Sequence, residues 1–456
     1  MKILLVSWYF PPSNRIGAVR IGRLASYLLD RGHDIKIVTC QDPPYNQTLP
    51  HDFPQERVTR AKWVDVNALP VALAQRLKRS PKSDIRSENP SEATIPTSQR
   101  GSTQPSRFRH LKSFLSSAYT HVINWPDQRI GWLPYALGAG RRVLKDWSPD
   151  LVFASAPPFT TLLAGALLSR SARAPLVLEF RDRWWDDPYY PPPAWLRALN
   201  RFVERRLASS AAGLSTVSEP WAETYRARYG KPTIVIYNGY DSEILAKLEE
   251  RPETPASDAE PHLRIVYTGG IYPGRRDPSL LFQAIGRLGE AGQAIEVAFY
   301  GTAPELVLPL AEQAGVRDNV TLHPEVSHKE AIARQSEADV LLLMQWSDPR
   351  EQGNVPGKFF EYMGSRRPIL ILGLRDGVPA TIAKETGAGV YGADAEQIAG
   401  LLTQWLALKR ERGYLPAAPS SAHDGYSREE QYRKLEQFFE TLQAGRSDQE
   451  SRSLNS

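Results

Sequence analysis

At 456 residues the chain exceeds one ordinary hydrophobic core and suits two domains of roughly 200 residues each. Hydrophobic residues at 41% and charged residues at 23% are globular proportions, and nowhere do the ~18 uninterrupted apolar residues of a membrane span occur. The net charge of +5 is local: between Arg76 and Lys112 stand nine basic residues against three acidic ones, so the remainder sums to about −1. A basic patch confined to one segment fits an anionic surface met locally, such as acidic lipid headgroups, and no nucleic-acid channel along the fold. A solvated, disordered insertion without a partner has the same composition. The single cysteine, Cys40, excludes an internal disulfide framework and fits a reducing cytoplasm.

The opening run "KILLVSWYF" reads as a strand and not as a leader, because Pro11 and Pro12 end it and no small-residue cleavage pattern follows. Ile21, Leu24, Ala25, Leu28 and Leu29 then recur at helical spacing, Gly32 stops that helix, and "DIKIVT" is the next strand. From about residue 80 to 107 the chain is rich in Ser, Pro and Thr, which predicts a disordered basic insertion spanning about 76–112. Strand-like runs resume at "DLVFASA", "APLVLEF", "AGLSTVS" and "PTIVIYNG", completing a first domain over 1–245. After the polar linker near 251–262, a second series over 260–415 contains "LRIVYTGG", "AIEVAFYG", "NVTLHP", "ADVLLLM", "RPILILG" and "GAGVYG". Apolar strands alternating with helices imply an α/β fold with two doubly wound parallel sheets facing a cleft. A ligand shared by both domains would then lie beyond the carboxyl ends of the strands. Residues 424–445 read as an amphipathic C-terminal helix and 446–456 as a frayed tail.

The nucleotide fingerprints with the strictest spacing are missing. "GAVRIGRL" places Arg23 and Leu24 where a P-loop needs Lys and Ser or Thr, and no G-x-G-x-x-G follows a predicted strand. No H-E-x-x-H, cysteine pair or strand-ending Asp-x-Asp offers a metal site. A phosphate must therefore be held by backbone N–H groups and by Lys or Arg. "GNVPGKFFEYMGSRRPILIL", residues 353–372, supplies such parts. Asn354 is placed to cap a helix with Pro356 in its first turn, and Gly357 admits a ligand close to the backbone. The helix dipole and Lys358 favour an anion there, and Glu361, about two turns on, can accept hydrogen bonds from a ribose diol. A capped surface helix with an i,i+3 Lys–Glu pair fits the same pattern.

Four segments, "PPSNRIGAVRIGRLASYLLDRGHDIKIVT", "IVIYNGYD", "IVYTGGIYPGRRDP" and "GNVPGKFFEYMGSRRPILIL", together resemble glycosyltransferase family four, retaining sugar transferases of the two-lobed GT-B fold. The likeness covers most of the chain apart from the insertion and tail. It implies a nucleotide-diphosphate sugar as co-substrate held mainly by the second domain, an acceptor held by the first, and neither metal nor other cofactor. Glu361 matches the second glutamate of the family's Glu-x7-Glu motif, which binds the ribose, whereas the first falls on Gly353. In this the chain resembles bacterial surface-polysaccharide transferases that read Gly-x-x-Pro-x-Lys-x-x-Glu-Tyr, which also takes in Val355 and Pro356. The family's usual Arg falls on Gly270 and its usual Lys on Arg275, so Arg276 or Lys358 is expected to replace the missing cation. Arg275 and Lys358 are expected to stabilise the departing diphosphate.

On the first domain, Arg181 and Asp182 end the strand "LVLEF" where the family often carries a functional His; Asp182 is expected to orient or deprotonate the acceptor hydroxyl, and an Arg–Asp pair that only fixes the loop fits the same residues. Trp184, Trp185, Tyr189, Tyr190 and Trp195 can stack on sugars, lie at a lipid interface, or simply pack. The loop around Gly17, with Arg15 as an extra cation, is expected to approach the donor phosphates or the acceptor. The resulting expectation is a cytoplasmic transferase acting on a glycan or lipid-linked acceptor, docked at the inner membrane face by the basic insertion. A non-catalytic nucleotide-sugar-binding subunit and a two-lobed nucleotide-sugar epimerase are the alternatives.

Overall fold

The computed structural model describes residues 1–68, 122–189, 191–242 and 262–454. The basic insertion expected at about 76–112, nearly all of the linker, and Tyr190 lie outside the described residues.

The first domain runs β1 (Lys2–Val6), α1 (Ile16–Asp30), β2 (Asp34–Cys40), β3 (Val58–Ala61), α2 (Leu133–Asp146), β4 (Leu151–Ala156), α3 (Thr160–Ala172), β5 (Leu176–Phe180), α4 (Ala194–Ser210), β6 (Gly213–Thr216), α5 (Glu219–Tyr229) and β7 (Thr233–Val235). These strands form one sheet in the order β3-β2-β1-β4-β5-β6-β7, every pair parallel. Parallel strands with helices on both faces must be apolar throughout, which is why β4 and β5 are buried at every position. Strand order reverses between β1 and β4, and the crevice beyond their carboxyl ends is where such sheets bind ligands.

The second domain contains β8 (Leu263–Thr268), α6 (Ser279–Arg287), β9 (Ile295–Tyr300), α7 (Leu308–Gln313), β10 (Val320–His323), α8 (His328–Ser336), β11 (Val340–Met344), α9 (Gly357–Gly364), β12 (Ile369–Leu372), α10 (Val378–Thr386), β13 (Gly389–Tyr391) and α11 (Ala395–Arg412). Its parallel sheet has the order β10-β9-β8-β11-β12-β13, so order reverses between β8 and β11. The two crevices face each other.

The chain then returns to the first domain. Tyr240 N–H donates to the Tyr426 carbonyl at 3.1 Å and Arg428 N–H to the Tyr240 carbonyl at 2.9 Å, pairing the outgoing and returning crossings. The last helix, α12 (Arg428–Leu454), buries Tyr432, Leu435 and Phe439 in the same core as Ile3, Leu5, Leu24 and Leu28. Full burial of each such side chain contributes about 1.5–3 kcal/mol, enough to fix the helix there. Glu436 strengthens the contact by accepting from Tyr27 Oη at 3.0 Å and pairing with His33 Nε2 at 2.8 Å. The helix continues through Leu454 where a frayed tail was expected at 446–456. Residues 446–454 contain neither proline nor glycine, so nothing in them stops the helix.

Candidate functional site

A cavity of about 600 Å³ opens between the domains at the carboxyl ends of the second sheet. Thr268, Gly269 and Gly270 after β8 line it, with Arg276, Tyr300, Gly301, Glu325 and Val326, the start of α9 at Pro356, Gly357 and Lys358, and then Glu361. Ile16 reaches in from the first domain, its side chain seated so close to Gly357 that a Cβ there would lie 2.4 Å from Ile16 Cδ1.

Lys358 is built into this floor. Its Nζ donates to the Thr268 carbonyl at 2.5 Å and lies 4.1 Å from the Tyr267 ring centroid. Gly269 makes room: its φ of +107° suits glycine, and a Cβ would lie 2.9 Å from Lys358 Nζ. Burial, with the Arg276 charge adding to it, brings the Lys358 ammonium down to about 7. An incoming diphosphate would reverse that depression by supplying the counter-charge. Arg276 donates to the Gly270 carbonyl at 3.2 Å and stacks on Tyr272 at 4.6 Å.

Glu361, about one turn from the start of α9, accepts from His328 Nε2 at 3.1 Å. Burial works to raise its pKa, yet the His328 hydrogen bond and the charges of His328 and Arg428 hold it below the usual carboxylate range. The same bond raises His328. Glu361 is thereby kept ionised, the form that accepts hydrogen bonds from a diol.

A second cavity of about 270 Å³ adjoins the first, since Arg276 lines both. Asp182, Tyr189 and Trp221 line it from the first domain, and Tyr272 and Asn354 from the second. Asp182 is exposed to the cavity, and partial desolvation by the surrounding groups raises its pKa against the opposing Arg181 charge.

Several expected residues sit elsewhere. Arg275 does not line the Lys358 cavity: its Nη2 donates to the Tyr189 carbonyl at 3.0 Å, and its guanidinium lies over the rings of Tyr189 and Trp346 at 4.4 and 5.0 Å. Arg276 takes the place beside Lys358 because the turn after β8 sends successive side chains to different walls. Arg15 stacks on Tyr45 at 4.3 Å and lines neither cavity. Asn354 does not cap α9, whose N-cap is Pro356, because its amide instead donates to Tyr189 Oη at 3.1 Å and Glu351 Oε1 at 3.0 Å. Val355 is packed in the core of the second domain.

Gly353, where the motif glutamate is missing, has φ +89°, and a Cβ there would lie 2.3 Å from the Trp221 ring. Trp221 also donates from Nε1 to the Gln352 carbonyl at 3.2 Å. The space a motif side chain would need is thus filled from the first domain. Beside it, Glu351 is 2% exposed and bonds Tyr189 Oη, with its pKa raised by burial. Neither Glu351 nor Trp221 was identifiable from local pattern.

On the first domain, Gly17 is buried at the start of α1 because Arg181 lies against it, Nη1 2.8 Å from where a Cβ would be. Arg181 is fixed by bonds to the Ala156 and Pro157 carbonyls at 3.1 and 3.0 Å, and burial lowers its pKa. It supports the loop from beneath and lines neither cavity. Its partner Glu179 also bonds Arg20 Nη2 at 2.7 Å, and Arg20 spans to the Ile236 and Tyr237 carbonyls at 2.9 Å each. Burial opposes the Glu179 charge, but the two arginines hold its pKa low. A carboxylate inside the apolar strand "LVLEF" was the available signal for this network. Among the described residues no group of three or more His, Cys, Asp or Glu is placed to hold a metal ion.

Residues 93–239 match the model of the glycosyl transferase 4-like domain, and residues 262–407 match that of glycosyl transferases group 1. No curated protein matches the chain. Among solved structures, Anabaena HepE in complex with UDP-glucose aligns over 97% of this chain and 100% of its own, at 13% identity and a TM-score of 0.55. A glycosyltransferase from Rickettsia africae aligns over 97% and 98% at 12% identity and a TM-score of 0.53. Sucrose-phosphate synthase from Thermosynechococcus elongatus aligns over 100% and 99% at 14% identity and a TM-score of 0.51. At such identities the structures speak for the fold, while the paired domain models speak for the family: the chain belongs to glycosyltransferase family four, with the GT-B fold.

Proposed function

We propose that the protein transfers a sugar, with retention and without a metal, from a nucleotide-diphosphate sugar to a glycan or lipid-linked acceptor in surface-polysaccharide synthesis. The observation that carries this reading is the junction of two cavities at Arg276, one with a cationic helix tip and the other with a carboxylate. The diphosphate rests on Lys358, Arg276 and the amides at the start of α9, and Glu361 holds the ribose. The sugar then points toward Asp182. As the bond from the anomeric carbon to the diphosphate breaks, the leaving oxygens gain charge that these preorganised groups neutralise. The acceptor oxygen forms the new bond and its proton passes to the Asp182 carboxylate, which lines the cavity on the acceptor side. UDP-glucose bound to Anabaena HepE makes a UDP-sugar the first donor to test.

Thermal stabilisation by UDP, GDP, ADP and TDP identifies the base, since a ligand bound only by the native state raises its stability. Sugar transfer or hydrolysis from the matching donor, abolished in Glu361→Ala, is the expected result. Binding with no turnover of any donor would favour a non-catalytic subunit, and isomerisation of donor alone would favour an epimerase.

A further inference from the structure

Helix α4 has an inward face that is fully accounted for and an outward face that is not. Leu196, Asn200, Glu204, Leu207 and Ala208 are buried. Trp195, Leu199 and Phe202, at i, i+4 and i+7, are 45%, 38% and 56% exposed and so form one apolar stripe along the outside. Arg197, Arg201, Arg205 and Arg206 are exposed on the same helix. Its one acidic residue, Glu204, is turned inward at 0% exposure to bond Trp185 Nε1 and Tyr229 Oη. The exposed positions of the helix therefore carry four arginines, no carboxylate and three large apolar side chains, with Arg201 packed 5.5 Å over the Trp185 ring at one flank. Arg206 lies 5.3 Å over the Phe202 ring, keeping charge and ring together.

We propose that α4 docks the protein on an anionic lipid bilayer, with Trp195, Leu199 and Phe202 entering the headgroup region and the arginines engaging lipid phosphates. Two features of the helix select this partner. A second copy would set arginine against arginine with no carboxylate between them. A nucleic acid would meet the charges but leave the apolar stripe without a counterpart, whereas an interface of acidic headgroups over acyl chains satisfies both. The location fits as well. Arg197 and Pro191, at the start of α4, line a cavity of about 270 Å³ that shares Arg183, Asp187, Pro188 and Arg350 with the Asp182 cavity. Docking through α4 thus brings the acceptor side of the cleft to the bilayer surface. The inference stands on α4 alone and does not depend on the proposed transfer reaction.

The test is co-sedimentation of the full-length chain with vesicles of phosphatidylcholine alone or mixed with phosphatidylglycerol. Binding to the mixed vesicles that weakens with salt, and falls about tenfold or more in Arg201→Glu/Arg205→Glu, is expected. The triple variant Trp195→Ser/Leu199→Ser/Phe202→Ser should lose binding while keeping its thermal unfolding transition and far-ultraviolet circular dichroism. The proposal is overturned if wild-type protein ignores the mixed vesicles, or if the folded triple variant binds them as wild type does, which would assign binding to another segment such as 76–112. It is equally overturned if the wild type is a dimer that the triple variant disperses, or if duplex DNA competes fully with the vesicles. None of these readouts uses a sugar donor, so failure here leaves the transferase reading untouched.

Discussion

The two walls of the cleft are built in different ways. The wall from the second domain comes from short contiguous pieces: the turn after β8 and the first two turns of α9 place Gly270, Arg276, Lys358 and Glu361 on one cavity. The wall from the first domain is assembled across long sequence distances, with Tyr189 reaching Glu351 and Asn354, and Trp221 filling the space beside Gly353. A helix tip that binds an anion is a local device, specified by a proline, a glycine and a lysine. A latch between domains is fixed only by tertiary packing. The second-domain wall should therefore respond to substitution residue by residue, and the first-domain wall through its packing.

The sharpest test of that contrast compares the two cations on which the sequence places equal weight. Lys358→Met removes a charge from the donor cavity and should lower the transfer rate by about 10²–10³-fold, as losing one preorganised donor to a developing oxyanion does. Arg275→Ala loosens Tyr189 and should cost about tenfold or less, since its guanidinium bonds a loop carbonyl and not the cavity. Steady-state rates that fall equally in both variants would return Arg275 to the diphosphate. On the packed side, Gly353→Glu would recreate the family's motif in sequence, yet Trp221 and the positive φ oppose it. A loss of about 1–3 kcal/mol in denaturant unfolding is expected, with no gain of activity. Glu361→Gln keeps the shape of the side chain proposed to hold the ribose and loses its charge. It should raise the donor KM about tenfold, the worth of one hydrogen bond to an ionised group.

Much of the fold was legible because buried parallel strands must be apolar along their whole length, and the runs "LRIVYT", "VLLLM" and "ILIL" are β8, β11 and β12. The grouping of Pro356, Gly357 and Lys358 at a helix start was legible for the same local reason. What escaped depends on distance. The amphipathic C-terminal helix had a visible apolar face but no visible destination, and it packs back on α1 and the first sheet. Asn354 had the composition of a cap, but its amide was claimed by Tyr189, 165 residues away. Arg275 and Arg276 are neighbours in sequence, and only the turn decides which one faces the cavity.

A change of pH probes Lys358 in place, without mutation. In the empty protein its ammonium is lowered to about 7, so from pH 6 to pH 8 it passes from mostly charged to mostly neutral. A bound diphosphate favours the charged form and raises that pKa, so binding takes up a proton on the alkaline side. Donor affinity should therefore be full below pH 7 and fall about tenfold by pH 8, the direction expected when a depressed lysine is restored by its counter-ion. A nucleotide sugar is the proper probe, because its esterified diphosphate has no proton to lose in this range. Calorimetry in two buffers of different ionisation enthalpy would show the proton uptake directly, and Lys358→Met should abolish both the uptake and the slope. An unchanged slope in that variant would move the titrating group to another residue, with His328 beside Glu361 the first to examine.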